Sequence, residues 1–222
     1  MHAETTVESS DNTIIVIDDH PLFRKGVADL IAMEKTLQLV GEAPDGEQGV
    51  ALALKTNPDL VLLDLNMKGM DGLATLKKLK ESELDARIVM LTVSDNEEDV
   101  VAALRAGADG YLLKDMEPED ILECLSQARK GKLVISDNLT ELLAHALREE
   151  SKPHNPDEAG LTPREEEILG LIAKGYSNKL IARELDISVG TFKVHVKHIL
   201  KKLKLRTRVE AAVWAINSRK GG

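Results

Sequence analysis

The chain has 222 residues, of which 43% are hydrophobic and 30% charged, and it carries a single cysteine, Cys124. One cysteine excludes an internal disulfide framework and a cysteine-rich zinc site. No apolar run approaches the roughly 20 residues that a membrane-spanning helix needs. The polar residues 1–12 lack the basic and apolar regions of a secretory signal, and we expect them to form a disordered head. The sequence therefore predicts a soluble cytoplasmic protein with no membrane partner.

Charge is divided unevenly along the chain. Residues 1–150 contain 15 Lys and Arg against 30 Asp and Glu, a net charge of −15. Residues 151–222 contain 14 against 8, a net charge of +6. Such a contrast suggests two modules with different partners, although ordinary variation along a chain would also produce an asymmetry.

Short apolar runs alternate with helical patterns in the first module. Helical periodicity covers residues 21–33, 46–55, 73–79, 97–105 and 117–130. Strand and helix alternate five times, which predicts a parallel doubly wound sheet that binds ligands beyond the carboxyl ends of its strands. The five predicted strands are IIVI from Ile14, LQLVGEA from Leu37, LVLLDL from Leu60, IVMLTV from Ile88 and GYLL from Gly110.

The pattern changes after residue 131. A helical pattern over 138–149 and the proline-containing segment SKPHNPDEAG from Ser151 predict a connecting helix and a flexible linker over 132–160. Residues 161–222 then predict helices alone. Thr162 and Ser188 suit N-cap positions for the first and third of four helices. The second module is therefore predicted to be a small all-α domain.

Acidic residues follow two predicted strands. Asp18 and Asp19 follow the first strand, and Asp64 follows the third. Taken singly, each could cap a helix or end a strand. Because parallel strands end at one edge, we expect the three carboxylates to converge, where they raise one another's pKa unless a cation lies among them. Carboxylate and backbone carbonyl oxygens suit Mg²⁺.

A hydroxyl and an ammonium group complete this edge of the sheet. Thr92 ends the fourth predicted strand and Lys114 follows the fifth. A carboxylate can act as a nucleophile toward a phosphoryl group. A metal ion, an ammonium group and a hydroxyl can then stabilise the phosphoryl oxygens. These residue types are therefore the parts that an acyl phosphate requires.

Four motifs, IIVIDDHP, LVLLDLNMKGMDG, IVMLTVSD and AGADGYLLKD, resemble the receiver domain of two-component response regulators over residues 13–131. The resemblance implies a flavodoxin-like sheet of strand order 2-1-3-4-5. It also implies roles for individual residues: Asp64 as phosphoacceptor; Asp18, Asp19, Asp64 and the backbone carbonyl of Asn66 around Mg²⁺; and Lys114, Thr92 and the switch residue Tyr111 as the groups that respond to phosphorylation.

The end of the chain is strongly basic. From Ile187 to Val209 there is no acidic residue, and Lys193, Lys197 and Lys201 recur on one helix face. This pattern suits the phosphates of nucleic acid, although a lone lysine-rich helix can also be a solvated surface. Here a short helix and a turn precede it, which predicts a helix-turn-helix that reads the major groove of double-stranded DNA.

The stretches LTPRE, NKLIARELD, FKVHVKHILKKL and RVEAA resemble the LuxR-type DNA-binding domain. Gly190 and Phe192 depart from the usual pattern and leave the base preference open. The resemblance implies pairing of two chains on DNA through the last helix, around Val213 and Trp214. It assigns base-edge contacts to Lys193, Val194 and Lys197, and phosphate contacts to Asn178, Lys179, Lys201 and Arg206.

The whole chain resembles the NarL/FixJ family, and within it the nitrate/nitrite response regulators. The resemblance implies that a sensor histidine kinase phosphorylates Asp64, which releases the helix-turn-helix to bind promoter DNA and control genes of anaerobic respiration. A different input signal and a DNA-binding activity independent of phosphorylation are alternatives. We expect no enzyme activity; an aspartyl-phosphate phosphohydrolase is disfavoured because Asn66, rather than an acid, stands two positions after Asp64.

Overall fold

The computed structural model describes residues 13–82, 84–93, 96–129 and 159–220. The predicted head, the predicted connecting helix and most of the predicted linker lie outside these ranges. Among the described residues, no helix is both long enough and apolar enough to cross a membrane.

Five strands form one parallel sheet. Their order is β2-β1-β3-β4-β5, which confirms the predicted topology. The buried residues of β1 and β3 and the four central residues of β4 are apolar, because helices cover both faces of the sheet. The strands are β1 (Thr13–Ile17), β2 (Gln38–Ala43), β3 (Leu60–Leu63), β4 (Arg87–Thr92) and β5 (Gly110–Leu113).

Five helices cover the two faces. Alternate residues of β1 point to opposite sides: Ile14 and Val16 pack with α1 and α5, whereas Ile15 and Ile17 pack with α2, α3 and α4. The side chain of Asp71 caps the first turn of α3. The helices are α1 (Pro21–Met33), α2 (Gly46–Thr56), α3 (Gly72–Glu81), α4 (Glu97–Arg105) and α5 (Pro118–Arg129).

The described part of the C-terminal segment is helical. Thr162 and Glu165 form a reciprocal capping box at the start of its first helix, and Ser188 caps its third. An apolar cluster that includes Ile168, Ile181 and Phe192 holds the helices together. The helices are α6 (Pro163–Ala173), α7 (Asn178–Glu184), α8 (Val189–Leu203) and α9 (Arg208–Lys220).

Helix α9 joins the two parts of the molecule. Its residues Val209 and Val213 are almost fully buried, and they belong to the apolar cluster of the sheet domain rather than to that of the helical domain. Helix α9 packs against α4, which contributes Val100, Ala103 and Leu104 to the same cluster. The last helix therefore uses part of its apolar surface within the chain.

A close backbone contact fixes the loop after β3. The N–H of Gly72 donates to the carbonyl of Leu65 at 2.8 Å. A Cβ at position 72 would lie 2.1 Å from the carbonyl oxygen of Asp64 and 2.6 Å from the Cα of Leu65. Because both neighbours are backbone atoms, the contact leaves no room for a side chain.

We expect Gly72→Ala to lower the free energy of unfolding by about 1–3 kcal/mol, because the added methyl group forces the backbone apart. Gly26→Ala is the matched control, since a Cβ at position 26 of α1 meets nothing within 4 Å. That change should raise stability by about 0.5–1 kcal/mol through helix propensity. Urea denaturation followed by circular dichroism measures both, and equal effects of the two variants would refute the packing argument.

Candidate phosphoacceptor site and nucleic-acid interface

Three carboxylates meet at the carboxyl edge of the sheet. Strands β1 and β3 pair with Ile17 opposite Leu63, so Asp18 and Asp64 leave the sheet side by side. Both are 2% exposed, and Asp19 lies beside them with partial exposure. Ligand atoms of these three acids and of His20 all lie within 4.8 Å of one another. The structure thus brings together the acids that the sequence pattern predicted to converge.

Lys114 lies between the two buried acids. Its Nζ is 2.7 Å from Asp18 Oδ2 and 2.8 Å from Asp64 Oδ2, and only 7% of its side chain is exposed. The same ammonium group lies 4.6 Å from the centre of the Phe23 ring, a cation–π distance. The cluster therefore has one buried ammonium group for two buried carboxylates, with Asp19 at its rim.

The charge balance affects Asp64 directly. Burial and the charge of Asp18 raise the pKa of Asp64 above its ordinary value, whereas Lys114 and the N–H of Asn66 oppose the rise. A divalent cation among these oxygens would relieve the repulsion. The donor set of closely spaced carboxylate oxygens fits Mg²⁺, which prefers oxygen ligands.

His20 is a member of this cluster that sequence reasoning treated only as part of a helix start. Its Nδ1 lies 2.9 Å from Asp19 Oδ1 and 3.4 Å from Asp18 Oδ1. The signal in the sequence was its position directly after the two acids. The imidazole lies at the exposed rim of the site, with 67% of its side chain open to solvent.

The groups predicted to respond to phosphorylation lie close to the acids or behind them. Thr92 is fully buried at the end of β4, and its Oγ1 accepts a hydrogen bond from the side chain of Asn66 at a long 3.4 Å. Tyr111 in β5 is paired with Met90 and packs in the cluster on the α4 side of the sheet. Thr92 is therefore within reach of the loop that carries Asp64.

The reading helix α8 presents a basic, mostly exposed face. Val194 is 53% exposed, and Lys197, Lys201 and Arg206 are also exposed. Phe192, by contrast, is 1% exposed in the core of the helical domain. The presence of phenylalanine at this position, instead of the usual residue, therefore changes packing in the core and not the DNA-facing surface.

Three residues with predicted DNA contacts instead contact acids of the sheet domain. The side-chain amide of Asn178 donates to Asp85 at 3.0 Å, and Lys193 lies 3.7 Å from the same carboxylate. Lys179 donates to Asp59. Both acids lie at the amino edge of the sheet, just before β3 and β4, and sequence reasoning did not single them out.

Each of the two domains matches a known protein family. Residues 14–126 match the response regulator receiver domain, and residues 159–215 match bacterial regulatory proteins of the luxR family. The chain is 58% identical over 207 residues to the nitrate/nitrite response regulator protein NarL of Escherichia coli K12, across 93% of this chain and 96% of that one. It is 42% identical over 212 residues to NarP of the same organism, across 96% and 98%. A solved RcsB–DNA complex aligns with a TM-score of 0.55 and 26% identity, across 94% of this chain and 98% of RcsB.

A receiver fold with an acidic cluster, followed by a LuxR-type helix-turn-helix, defines a two-component response regulator that acts on transcription. Identity of 58% over nearly the whole length shows that the chain belongs to the NarL/FixJ family. The nitrate/nitrite regulators NarL and NarP are among its relatives.

Asp109 lies beneath the contact between the domains. It accepts hydrogen bonds from Lys80 Nζ at 2.6 Å and from the N–H of Ile88 at 2.9 Å. Burial alone would raise its pKa, but the charges of Lys80 and Arg87 outweigh burial and hold the pKa below its ordinary value. Asp109 therefore stabilises the folded chain as a carboxylate.

Because the folded pKa is the lower one, this stabilisation is complete above the unfolded pKa of about 3.9 and is lost as the pH falls through the folded pKa. We expect Asp109→Asn to cost about 2–3 kcal/mol at pH 7, and the difference from the native chain to shrink below about pH 4. Urea denaturation across this pH range is the measurement. Asp29→Asn, in an exposed pair with Lys25, is the control and should change stability little. A cost for Asp109→Asn that does not vary with pH would contradict the assignment.

Proposed function

We propose that this chain is a phosphorylation-switched transcription regulator whose receiver covers part of the DNA-binding surface until Asp64 is phosphorylated. The observation that carries the proposal is a set of polar contacts between the two domains. Asn178 and Lys193 contact Asp85, and Lys179 contacts Asp59. Carboxylates of the receiver thus take the places that phosphates of DNA would occupy. The domain division that we propose is a receiver over 13–131, a connection over 132–160 and a DNA-binding domain over 161–222.

Phosphoryl transfer begins with a carboxylate oxygen of Asp64 attacking the phosphorus of a phosphohistidine on a sensor histidine kinase. The phosphorus–nitrogen bond breaks, the electron pair stays on the imidazole, and an acyl phosphate forms. Asp18, Asp19, Asp64 and the carbonyl of Asn66 would hold Mg²⁺, which would neutralise charge on the phosphoryl oxygens.

Three side chains of the receiver respond to the new phosphoryl group: Lys114 and Thr92 directly, and Tyr111 behind them. Lys114 shifts its ammonium group from the carboxylates to the phosphoryl oxygens, because these carry the greater negative charge. The hydroxyl of Thr92 donates a further hydrogen bond, and Tyr111 changes rotamer behind it. The responses of Thr92 and Lys114 occur at the ends of β4 and β5, which lead into α4 and α5.

Helix α4 connects this event to the DNA-binding domain. It begins five residues after Thr92, and it packs against Val209 and Val213 of α9. A shift of Thr92 at the end of β4 toward the phosphoryl group alters the position of α4, on which α9 packs. Loss of that packing releases the ion pairs at the amino edge of the sheet as well, since both contacts hold the same domain.

The released domain binds promoter DNA as a homodimer. Lys193, Val194 and Lys197 face base edges, while Asn178, Lys179, Lys201 and Arg206 contact phosphates. Val213, freed from the receiver, contributes with Trp214 to pairing between two copies. The RcsB–DNA complex supports this role for the domain. The names of NarL and NarP support nitrate or nitrite as the input that the partner kinase senses.

We expect acetyl phosphate with Mg²⁺ to raise the affinity for duplex DNA by at least about tenfold, because phosphorylation frees basic side chains that each add favourable phosphate contacts. Fluorescence anisotropy at one fixed salt concentration measures the affinity, and mass spectrometry measures labelling. Asp64→Asn should abolish both the labelling and the rise. The control Asp115→Asn, at an exposed position beside Lys114, should retain both.

Two outcomes contradict this prediction separately. Equal labelling of Asp64→Asn would remove Asp64 as the phosphoacceptor. Full labelling of the native chain with unchanged DNA affinity would instead remove the coupling between the domains. Steady release of phosphate from a small phosphoester would favour the hydrolase alternative.

A second prediction concerns the closed contact itself. Asp85→Asn should raise the DNA affinity of the unphosphorylated chain by about threefold to tenfold, because it weakens the contacts of Asn178 and Lys193 with the receiver. The affinity of the phosphorylated chain should not change, since the contact is then already broken. Asp29→Asn on α1 is the control. Unaltered affinity of unphosphorylated Asp85→Asn, together with normal labelling, would show that this contact does not restrain the reading helix.

A further inference from the structure

A cavity of about 900 Å³ lies between the receiver and the DNA-binding domain. Three carboxylates, Asp59, Asp85 and Asp109, line it. Twice as many cationic side chains among the described residues line the same space: Lys80, Arg87, Lys179, Arg183, Lys193 and Arg208. The closed arrangement therefore leaves positive charge in the cavity that protein carboxylates do not balance.

Two arginines, one from each domain, line this cavity. Arg87 begins β4, and its Nη1 donates to the carbonyl of Ala128 at 2.7 Å. Arg208 begins α9, and its Nη2 donates to the carbonyl of Tyr176. Arg87 Nη2 and Arg208 Nε are buried and have no acceptor among the described residues.

The two guanidinium groups line the same cavity, where their like charges repel each other. Burial and the charge of Arg87 lower the pKa of Arg208 to about 10, and Asp109 and Asp85 offset only part of this. Burial likewise lowers the pKa of Arg87. An anion in the cavity would reduce this repulsion, whereas a neutral water molecule would not.

We propose that a small tetrahedral oxyanion of the inorganic phosphate or sulfate type binds between Arg87 and Arg208 and bridges the two domains. The site is complete only in the closed arrangement, because each domain supplies one guanidinium group. The anion therefore stabilises the closed chain and opposes DNA binding by linkage. The proposal rests on the closed contact, whatever event opens it, so its test does not use phosphorylation.

The first test is titration calorimetry of the full-length unphosphorylated chain with sulfate. Magnesium is omitted, and chloride is exchanged for sulfate at constant ionic strength. We expect one site, and we expect Arg87→Gln and Arg208→Gln each to weaken it at least about tenfold, since each removes a charged hydrogen bond. Arg164→Gln, on α6 and away from the cavity, should bind as the native chain does.

Circular dichroism melting establishes which variants are folded, and the two arginines lie in different domains, so one folded variant suffices for the test. Absence of sulfate binding beyond that of chloride overturns the proposal. Undiminished binding by a folded arginine variant overturns it equally. Lys114→Gln should retain binding; loss of binding in that variant would place the anion at the phosphoacceptor site and also overturn the proposal.

The second test is DNA affinity of the unphosphorylated chain at constant ionic strength. Replacing chloride with saturating sulfate should weaken DNA binding by about threefold to tenfold through the bridged closed state. Arg87→Gln should remove this sulfate-specific effect while leaving the general salt dependence, because residue 87 belongs to the receiver and the salt dependence comes from the DNA-binding domain. A sulfate effect of full size in folded Arg87→Gln would contradict the bridge.

Discussion

The sharing of Lys114 between Asp18 and Asp64 is the interaction on which the rest of this molecule depends. Both carboxylates are nearly inaccessible, and a single ammonium group lies within 3 Å of each of them. Burying charge is tolerated only where partners compensate it. The site therefore holds more negative charge than its own lysine neutralises, which makes a divalent cation and then a phosphoryl group favourable additions. Asp18, Asp64 and Lys114 directly follow β1, β3 and β5, and these parallel strands end at the same edge of the sheet.

The two functional surfaces lie at opposite ends of the same sheet. The acids of the phosphoacceptor site follow the carboxyl ends of the strands, whereas Asp59 and Asp85 precede β3 and β4. A signal at one end reaches the other only through elements that span the domain. Helix α4 is such an element, since it starts near Thr92 and packs against α9. An apolar contact and a set of ion pairs then act on one rigid helical domain.

Much of this arrangement follows from local sequence patterns. The apolar runs of β1, β3 and β4 predict a buried parallel sheet, and the geometry of such sheets alone places Asp18 and Asp64 at one edge. The caps at Thr162 and Ser188 likewise followed from residue type. These features are predictable because each depends on a short stretch of chain and on general rules of parallel sheets and helix ends.

The contacts between the domains were not predictable in this way. An asparagine and a lysine can each contact either DNA or a carboxylate. The residue types at positions 178 and 193 therefore do not show which of the two partners they contact. Val213 is predicted to pair with a second chain on DNA, and in this structure it packs against the receiver, a contact that the sequence did not indicate. Phe192 departs from the usual family pattern, which left the base preference open, and the structure buries it in the core of the helical domain. In each case the decisive partner is distant in the sequence.

Competition between carboxylates and DNA for the same basic side chains has a consequence for the cell's changing salt concentration. Added salt weakens ion pairs within the protein, and it weakens contacts with DNA phosphates more steeply because counterions are released there. Salt therefore loosens the closed form and penalises the bound form at once. On the proposed mechanism these two effects oppose each other in the fraction of regulator bound to DNA, so the ion pairs of Asp59 and Asp85 partly offset the salt dependence of DNA binding.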